Sequence, residues 1–289
     1  MGTMKLLVTG AGGMLGQALS ACLESRGHDV ISVPKEKLDV TNYNQCLEVI
    51  EEKKPDLIIH CGAYTKVDQA ESEPNLAYHI NGYGTENLAV ACNIFNKPMM
   101  YFSSDYVFDG EQKQPYTTWD ATRPLSIYGK SKLAGEKAVQ RHLQRFYIIR
   151  TSWLYGPNGK NFVDTISSMA KDRKQLRVVS DQVGTPTCTL SLSEIVADLI
   201  GTGRWGVYHG TDDGITSWYE FAKEILKDRD NEIVPIATNE MPRPATRPKY
   251  SVMDKTTLIS TIGRELPSWQ DSLQTYLKLG SSHKEAVKK

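Results

Sequence analysis

The sequence predicts an α/β fold, in which a doubly wound parallel sheet carries helices on both faces and a smaller C-terminal α/β lobe is attached. In the first 150 residues, short apolar runs alternate with longer segments of helical periodicity. The apolar runs are continuous rather than alternating with polar residues, which is typical of parallel strands buried on both faces. A glycine-rich turn follows the first run directly.

The elements of the first half follow in regular order. Residues 5–9 form a short β-type run, and residues 14–25 have helical spacing with Leu15, Ala18, Leu19 and Cys22 on one side. The same reasoning predicts further strands at 29–33, 57–61 and 98–103, and further helices at 42–53 and at about 74–95. This alternation predicts one parallel sheet.

After residue 150 the pattern changes to short strands at 176–179, 206–209 and 232–236, with helices at 193–201 and 217–228. Prolines concentrate in 241–248, which predicts a loop. We therefore expect a dinucleotide-binding domain at 1–150 and a mainly substrate-binding lobe at 151–289. The boundary is soft, because 146–150 fits the main sheet and some of the later chain is expected to return to it.

Composition narrows the class of protein. The 289 residues contain 34 Lys plus Arg and 34 Asp plus Glu, so the formal net charge is zero and no general positive field favours nucleic acid. No run approaches the roughly 18 to 20 apolar residues that cross a bilayer, and no signal peptide precedes the first strand, so we expect a cytoplasmic protein without membrane contact. Five scattered cysteines show neither metal-ligand spacing nor a disulfide framework.

The turn at residues 9–16 has the form of a phosphate-binding loop. Gly10, Gly13 and Gly16 lie three residues apart between a strand and a helix. Glycines there permit positive φ and a close approach of the backbone to a pyrophosphate, which the N–H groups at the helix start can bind. This context predicts a Rossmann-type dinucleotide site.

The end of the second strand indicates which dinucleotide is bound. NAD enzymes place a carboxylate there, about 20 residues after the glycines, to bind the adenosine ribose. This chain instead reads Ser-Val-Pro-Lys at 32–35, and Lys35 can pair with a 2′-phosphate. The sequence therefore favours NADPH, with NADH still possible.

Three side chains form a candidate catalytic set. Tyr128 and Lys132 are four residues apart and share one face of a predicted helix. A nearby ammonium favours the phenolate and is expected to lower the tyrosine pKa from about 10, while the lysine also binds the nicotinamide ribose. Ser104 follows a strand at the edge where such sheets bind ligands, so we expect it to polarise a substrate carbonyl that Tyr128 protonates.

With these residues, the chain resembles the extended short-chain dehydrogenase/reductases. Within that family it is most similar to the branch of dTDP-4-dehydrorhamnose reductases. The most specific stretches are 63–71 (AYTKVDQAE), 103–110 (SSDYVFDG), 128–136 (YGKSKLAGE), 150–156 (RTSWLYG) and 181–187 (DQVGTPT). The resemblance implies that NADPH reduces the C4 keto group of dTDP-4-dehydro-L-rhamnose to give dTDP-L-rhamnose, with Tyr128 as general acid.

The resemblance also implies roles for individual positions. The cofactor contacts it implies are Gly13, Met14, Leu15, Asp39, Val40, Ala63, Tyr64, Thr65, Tyr128 and Lys132. We add Gly10 and Lys35 from the residue patterns above, and we also expect Phe102 to contact the cofactor. The implied substrate contacts are Ser104, Asp105, Tyr106 and Trp153. Two departures stand out: the family commonly has threonine at Ser104, and residues 17–20 (QALS) lack the acid through which some members bind a bridging metal. A metal-bridged dimer is therefore not supported, and the oligomeric state stays open.

Two other readings stay open. A nucleotide-sugar epimerase or another reductase of this family would share the glycine turn and the Tyr-Lys pair; an epimerase would hold NAD⁺ tightly. Dehydratases usually have an acidic pair after the catalytic hydroxyl, whereas Asp105 is followed by Tyr106. A non-catalytic regulatory subunit, of the kind that accompanies methionine adenosyltransferase, would share the fold without the reaction.

Overall fold

The computed structural model describes residues 2–286, with side chains for residues 2–279. The strands of the first half are β1 (Lys5–Thr9), β2 (Asp29–Val33), β3 (Leu57–His60), β4 (Met99–Ser104) and β5 (Phe146–Thr151). The helices between them are α1 (Met14–Ser25), α2 (Tyr43–Lys53), α3 (Val67–Ala70), α4 (Pro74–Tyr78), α5 (Thr85–Ile94) and α6 (Ile127–His142). The four predicted strands up to β4 occur within one residue of their predicted bounds.

The second half adds seven strands and five α-helices within the described residues. The strands are β6 (Leu154–Tyr155), β7 (Gln175–Val179), β8 (Val183–Gly184), β9 (Thr187–Cys188), β10 (Gly206–His209), β11 (Thr216–Ser217) and β12 (Glu232–Ile236). The helices are α7 (Phe162–Asp172), α8 (Thr189–Ile200), α9 (Trp218–Ile225), α10 (Thr256–Ile262) and α11 (Trp269–Ala286). The proline-rich segment 241–248 is a loop.

The central sheet has six parallel strands in the order β2-β1-β3-β4-β5-β10. The chain moves from β1 outward to β2 and then back across to β3, so the order reverses between β1 and β3. Open α/β sheets bind ligands beside such a reversal, at the carboxyl ends of the strands. The predicted fold class is confirmed.

Two apolar layers cover the sheet. On one face, Leu6 and Val8 of β1 pack in a core with α1 and α8; on the other face, Leu7 packs in a core with α2, α5 and α6. Successive strand residues point to opposite faces, so strands covered on both sides must be apolar at every position. This requirement explains the continuous apolar runs of the sequence.

The chain beyond β5 contributes to two separate hydrophobic cores. Helix α8 and strand β10 join the large sheet and its core, whereas α7, α9, α11 and the parallel pair β7–β12 enclose a separate core that includes Tyr155, Phe221 and Trp269. The division of roles at residue 150 stays a prediction.

The helix expected at about 74–95 is interrupted. Helix α4 leads into a π-helical segment, His79–Gly84, and only then into α5. The π-helical segment contains Asn81. Its side-chain oxygen accepts the N–H of Tyr64 at 2.8 Å. Its side-chain nitrogen donates to the Tyr64 carbonyl at 3.0 Å and to Ser131 Oγ at 2.9 Å. Such π-bulges occur frequently at functional sites; here the bulge joins the segment after β3 to α6.

A buried ion pair joins α6 to the sheet. Arg150 on β5 donates from Nε and Nη2 to the two carboxylate oxygens of Glu136 on α6, at 3.0 and 2.8 Å. Their side chains are 6% and 1% exposed. Removing one partner of such a pair leaves the other charge buried without a counter-charge, which destabilises the folded protein by about 3–5 kcal/mol.

We therefore expect Glu136→Ala to lower the free energy of unfolding by about 3–5 kcal/mol, because Arg150 would keep a buried, unpaired charge. Urea denaturation measures this loss. The control is Glu220→Ala, which breaks the exposed pair with Lys223 and should cost less than about 1 kcal/mol. Equal losses in the two variants would contradict the prediction.

Candidate active site

A cavity of about 900 Å³ opens at the carboxyl ends of the strands, beside the reversal between β1 and β3. Residues after β5 also line it. The site residues named from the sequence that line this cavity are Gly10, Gly13, Met14, Leu15, Lys35, Asp39, Val40, Ala63, Thr65, Phe102, Ser104, Asp105, Tyr106, Tyr128, Lys132 and Trp153. The structure thus brings together positions that lie far apart in the chain.

Tyr64 is the exception. Its hydroxyl donates to Glu73 at 2.7 Å, the residue is 8% exposed, and it is not among those that line the cavity. The neighbouring Ala63 and Thr65 line the cavity instead. The predicted contact between Tyr64 and the cofactor stays a prediction, and the absence of Tyr64 from the cavity lining does not favour it.

The glycine turn is packed too tightly for side chains. Gly10 has φ +66°, and a Cβ added there would lie 2.5 Å from the backbone nitrogen of Gly62. A Cβ on Gly16 would lie 2.5 Å from the carbonyl oxygen of Gly10. Gly13 stands at the N-cap of α1 and has no side chain to cap it, so the first N–H groups of the helix stay open to a ligand. This arrangement fits the pyrophosphate of a dinucleotide.

One end of the cavity carries Lys35 and Asp39. The Asp39 carboxylate accepts hydrogen bonds from the Thr41 hydroxyl at 2.8 Å and the Thr41 N–H at 3.0 Å. These bonds and the charge of Lys35 hold the pKa of Asp39 below its usual value. Asp39 is therefore ionised and committed to Thr41.

Helix α6 is seated directly on the segment that follows β4. Ser126 caps it by accepting the N–H of Gly129 at 3.1 Å, and a Cβ on Gly129 would lie 2.2 Å from the Tyr106 carbonyl oxygen. A Cβ on Gly135 would lie 2.4 Å from the Tyr101 hydroxyl. This close seating brings Tyr128 edge-on to Tyr106, with ring centroids 5.4 Å apart.

The pKa of Tyr128 differs from the expectation. Burial, and then the charge of Asp105, raise the pKa to about 12, while a hydrogen bond with Ser104 opposes the rise. Lys132 is 3% exposed, and burial lowers its pKa to about 7, against the opposing charge of Glu136. At the pH where Tyr128 ionises, Lys132 is therefore uncharged, so the expected lowering of the Tyr128 pKa does not occur. The Lys132 ammonium lies over the Tyr101 ring, 4.2 Å from the centroid.

Ser104 and Asp105 form a local pair. The Ser104 hydroxyl donates to Asp105 Oδ1 at 2.8 Å and accepts the N–H of Tyr106 at 3.2 Å. Burial raises the pKa of Asp105 to about 6, while hydrogen bonds from Ser251 and Ser104 limit the rise. The Ser104 hydroxyl must therefore turn from Asp105 before it can donate to a substrate carbonyl.

The smaller lobe supplies an aromatic wall. Trp153 has φ +48°, a conformation that bulky residues rarely adopt, and its ring stacks on Trp218 with centroids 3.7 Å apart and planes 10° apart. Both tryptophans line the cavity. Trp218 was missed from the sequence, because only its stacking on Trp153 marks it. Strained backbone of this kind concentrates at ligand sites.

A second long-range contact was also missed. Arg247, in the proline-rich loop, donates from Nη1 and Nη2 to the two carboxylate oxygens of Asp68 at 2.8 and 2.9 Å. Asp68 belongs to α3, whose first residue, Val67, lines the cavity. No local pattern links residues 179 positions apart, so sequence spacing could not reveal this pair.

Within the residues that the structure describes, no group of three or more His, Cys, Asp or Glu side chains is placed to hold a metal ion. None of the described helices combines the length and apolar character required to cross a bilayer.

The site defines a class of protein. A phosphate-binding turn at the sheet reversal, with hydroxyl, tyrosine and lysine side chains beside it, is the arrangement of a nucleotide-dependent short-chain oxidoreductase. The chain matches the sequence model of the RmlD substrate binding domain over residues 4–281, and it belongs to that family. The family resemblance drawn from the sequence is confirmed.

Known relatives cover almost the whole chain. The spore coat polysaccharide biosynthesis protein SpsK of Bacillus subtilis (strain 168) is 39% identical, over 96% of this chain and 98% of the relative. The dTDP-4-dehydrorhamnose reductase of Aggregatibacter actinomycetemcomitans is 38% identical, over 93% and 97%. The crystal structure of dTDP-4-dehydrorhamnose reductase from Bacillus anthracis str. Ames in complex with NADP has a TM-score of 0.92 and 40% identity, over 96% and 99%.

The buried Lys132 makes stability depend on pH. Its pKa falls from 10.5 to about 7 on folding, so between these values the unfolded chain binds a proton that the folded chain does not. Raising the pH in this window therefore favours folding, and wild type should gain up to about 1.4 kcal/mol per pH unit relative to Lys132→Met. Urea denaturation of both proteins between pH 7 and 9 tests this. Parallel pH dependences would show that the lysine is not buried as described.

Proposed function

We propose that the protein reduces the C4 keto group of dTDP-4-dehydro-L-rhamnose with NADPH to give dTDP-L-rhamnose. The observation that carries the proposal is the meeting of Ser104, Tyr128 and Lys132 with the glycine turn in one cavity. The relatives named as dTDP-4-dehydrorhamnose reductases support the substrate, and the NADP in the Bacillus anthracis structure supports the cofactor. This is an oxidoreductase of dTDP-rhamnose biosynthesis.

Each catalytic side chain has a role that its environment supports. Bound NADPH supplies the hydride that adds to C4. Tyr128 gives its proton to the oxygen of that carbonyl, and a pKa of about 12 keeps the phenol protonated at neutral pH, as a general acid requires. The Ser104 hydroxyl, once turned from Asp105, would orient the carbonyl beside Tyr128. Lys132, close to its own pKa of about 7, holds the nicotinamide ribose.

The remaining proposed contacts are those with the cofactor pyrophosphate and with the sugar nucleotide. We place the pyrophosphate on Gly13, Met14 and Leu15, and the sugar nucleotide against Asp105, Tyr106 and Trp153. The stacked tryptophans form a flat wall suited to a sugar or a base. The proposed location is the cytoplasm; no nucleic-acid or membrane partner is proposed.

The proposal predicts a separation of binding from chemistry in Tyr128→Phe. Removing the hydroxyl removes one positioned proton donor, which supplies roughly 10²–10⁴-fold in rate, while the ring and its packing stay. NADPH oxidation at 340 nm, with dTDP-4-dehydro-L-rhamnose made in situ, measures turnover, and NADPH fluorescence measures binding. Near-normal turnover in this variant would rule out Tyr128 as the acid.

The same assay separates the alternative functions. Turnover by the wild type with NADPH identifies the reductase. An epimerase would instead retain NAD⁺ through purification, which absorbance detects. A regulatory subunit would bind the cofactor without turnover and would need a stoichiometric protein partner.

Lys35 predicts the cofactor preference. If its ammonium meets the 2′-phosphate, Lys35→Gln should raise the Kd for NADPH roughly 10- to 150-fold, because a hydrogen bond to a charged group contributes roughly 1.5–3 kcal/mol. The Kd for NADH, which lacks that phosphate, should not change in this variant. Lys37→Gln, an exposed lysine outside the cavity, is the matched control. Equal weakening of both cofactors by Lys35→Gln would contradict this role.

A further inference from the structure

A loop of the smaller lobe lies on the start of the phosphate-binding helix. Gly159 packs against Met14, the first residue of α1, although the two are 145 positions apart in the sequence. A Cβ added to Gly159 would lie 2.9 Å from Met14 Cβ and 3.4 Å from its Cγ and Sδ atoms. Both residues line the cavity. The loop at 156–161 therefore covers the helix end that the fold offers to phosphate.

The protein's own contacts hold this loop in place. The Asn161 side chain donates to the carbonyl oxygens of Gly156 at 3.0 Å and Gly159 at 3.2 Å. Its oxygen accepts the N–H of Asp164 at 2.9 Å and so caps α7. Asn161 is 8% exposed. These bonds anchor the loop to a helix and fix where Lys160 leaves the backbone.

Lys160 brings a positive charge to this end of the cavity. It lines the cavity next to Gly159, and no carboxylate within residues 2–279 pairs with its ammonium. The other two lysines of the lining stand elsewhere, since Lys35 lies beside Asp39 and Lys132 is buried over the Tyr101 ring. The carboxylates of the lining, Asp39 and Asp105, are committed to Thr41 and Ser104.

We propose that Lys160 binds the pyrophosphate of the dinucleotide cofactor, so that the smaller lobe closes over the phosphate-binding turn. The start of a helix offers N–H groups and about half a positive charge, which leaves much of a pyrophosphate's charge uncompensated. An ammonium on a loop packed against Met14 supplies the missing positive charge. This inference rests on the proposed function, and it assigns cofactor binding to a residue outside the first 150.

The experiment measures the Kd of NADPH and of NADH for Lys160→Gln by fluorescence titration. Both cofactors contain the pyrophosphate, so both should bind about five- to tenfold more weakly, corresponding to about 1–1.4 kcal/mol. The difference from wild type should shrink in high salt, because ions screen an exposed charge. Lys171→Gln, on α7 and outside the cavity lining, is the matched control and should bind both cofactors as wild type does.

Other outcomes overturn the inference. Unchanged Kd values for both cofactors would leave Lys160 without this role. Weakening of NADPH alone would assign the lysine to the 2′-phosphate. Weakened binding of dTDP with unchanged cofactor binding would assign it to the diphosphate of the sugar nucleotide. Failure of the wild type to bind either cofactor would count against the proposed function itself.

A second variant tests the loop while keeping the charge. Gly159→Ala places a methyl group 2.9 Å from Met14 Cβ, an approach that forces the loop away from α1. Both cofactors should again bind more weakly although Lys160 is present. Circular dichroism and the urea midpoint check that the variant is folded. Wild-type affinity in a folded Gly159→Ala protein would show that the seating on Met14 does not serve cofactor binding.

Discussion

The close approach of helix α6 to the end of strand β4 is the constraint on which the rest of the site depends. Two glycines permit it, because side chains at Gly129 and Gly135 would collide with the Tyr106 carbonyl and the Tyr101 hydroxyl. At this separation one face of the helix delivers Tyr128 to Ser104, and the ammonium of Lys132 reaches the Tyr101 ring. A helix displaced by the width of a methyl group would separate Tyr128, the proposed acid, from Ser104, and misplacements of this size are costly in catalysis.

The same closeness determines the charge of the site. Burial disfavours ionised groups, so it raises the pKa of Asp105 to about 6 and lowers that of Lys132 to about 7. Glu136, buried on the same helix, pairs with Arg150 through two hydrogen bonds. Groups with such displaced pKa values concentrate where chemistry takes place, because small changes in their surroundings move their protons. A sugar carbonyl or a cofactor ribose placed among them is such a change.

The sequence predicts the parts of this arrangement that depend on local patterns. Continuous apolar runs placed the strands up to β4 within one residue, since strands buried on both faces leave no polar positions. The glycine spacing and the Tyr128–Lys132 interval are local as well. The π-helical segment at Asn81 and the packing of Tyr64 away from the cavity depend on contacts outside the local pattern. The helical periodicity between 74 and 95 continues through the bulge without marking it.

Contacts between segments far apart in the sequence were the least predictable. Two hydrogen bonds between Arg247 and Asp68 join the proline-rich loop to α3. Asn161 anchors the loop at 156–161, which contacts Met14. A loop held by the protein's own bonds does not need to be ordered at the expense of ligand affinity. A cavity lined by fixed loops does not adapt to a wrong sugar, so that sugar leaves polar groups without hydrogen-bond partners. Such unpaired polar groups discriminate between substrates more strongly than a poor fit of apolar surfaces does. Discrimination among hexuloses should therefore depend on the bonds that hold these loops as much as on the residues that touch the sugar.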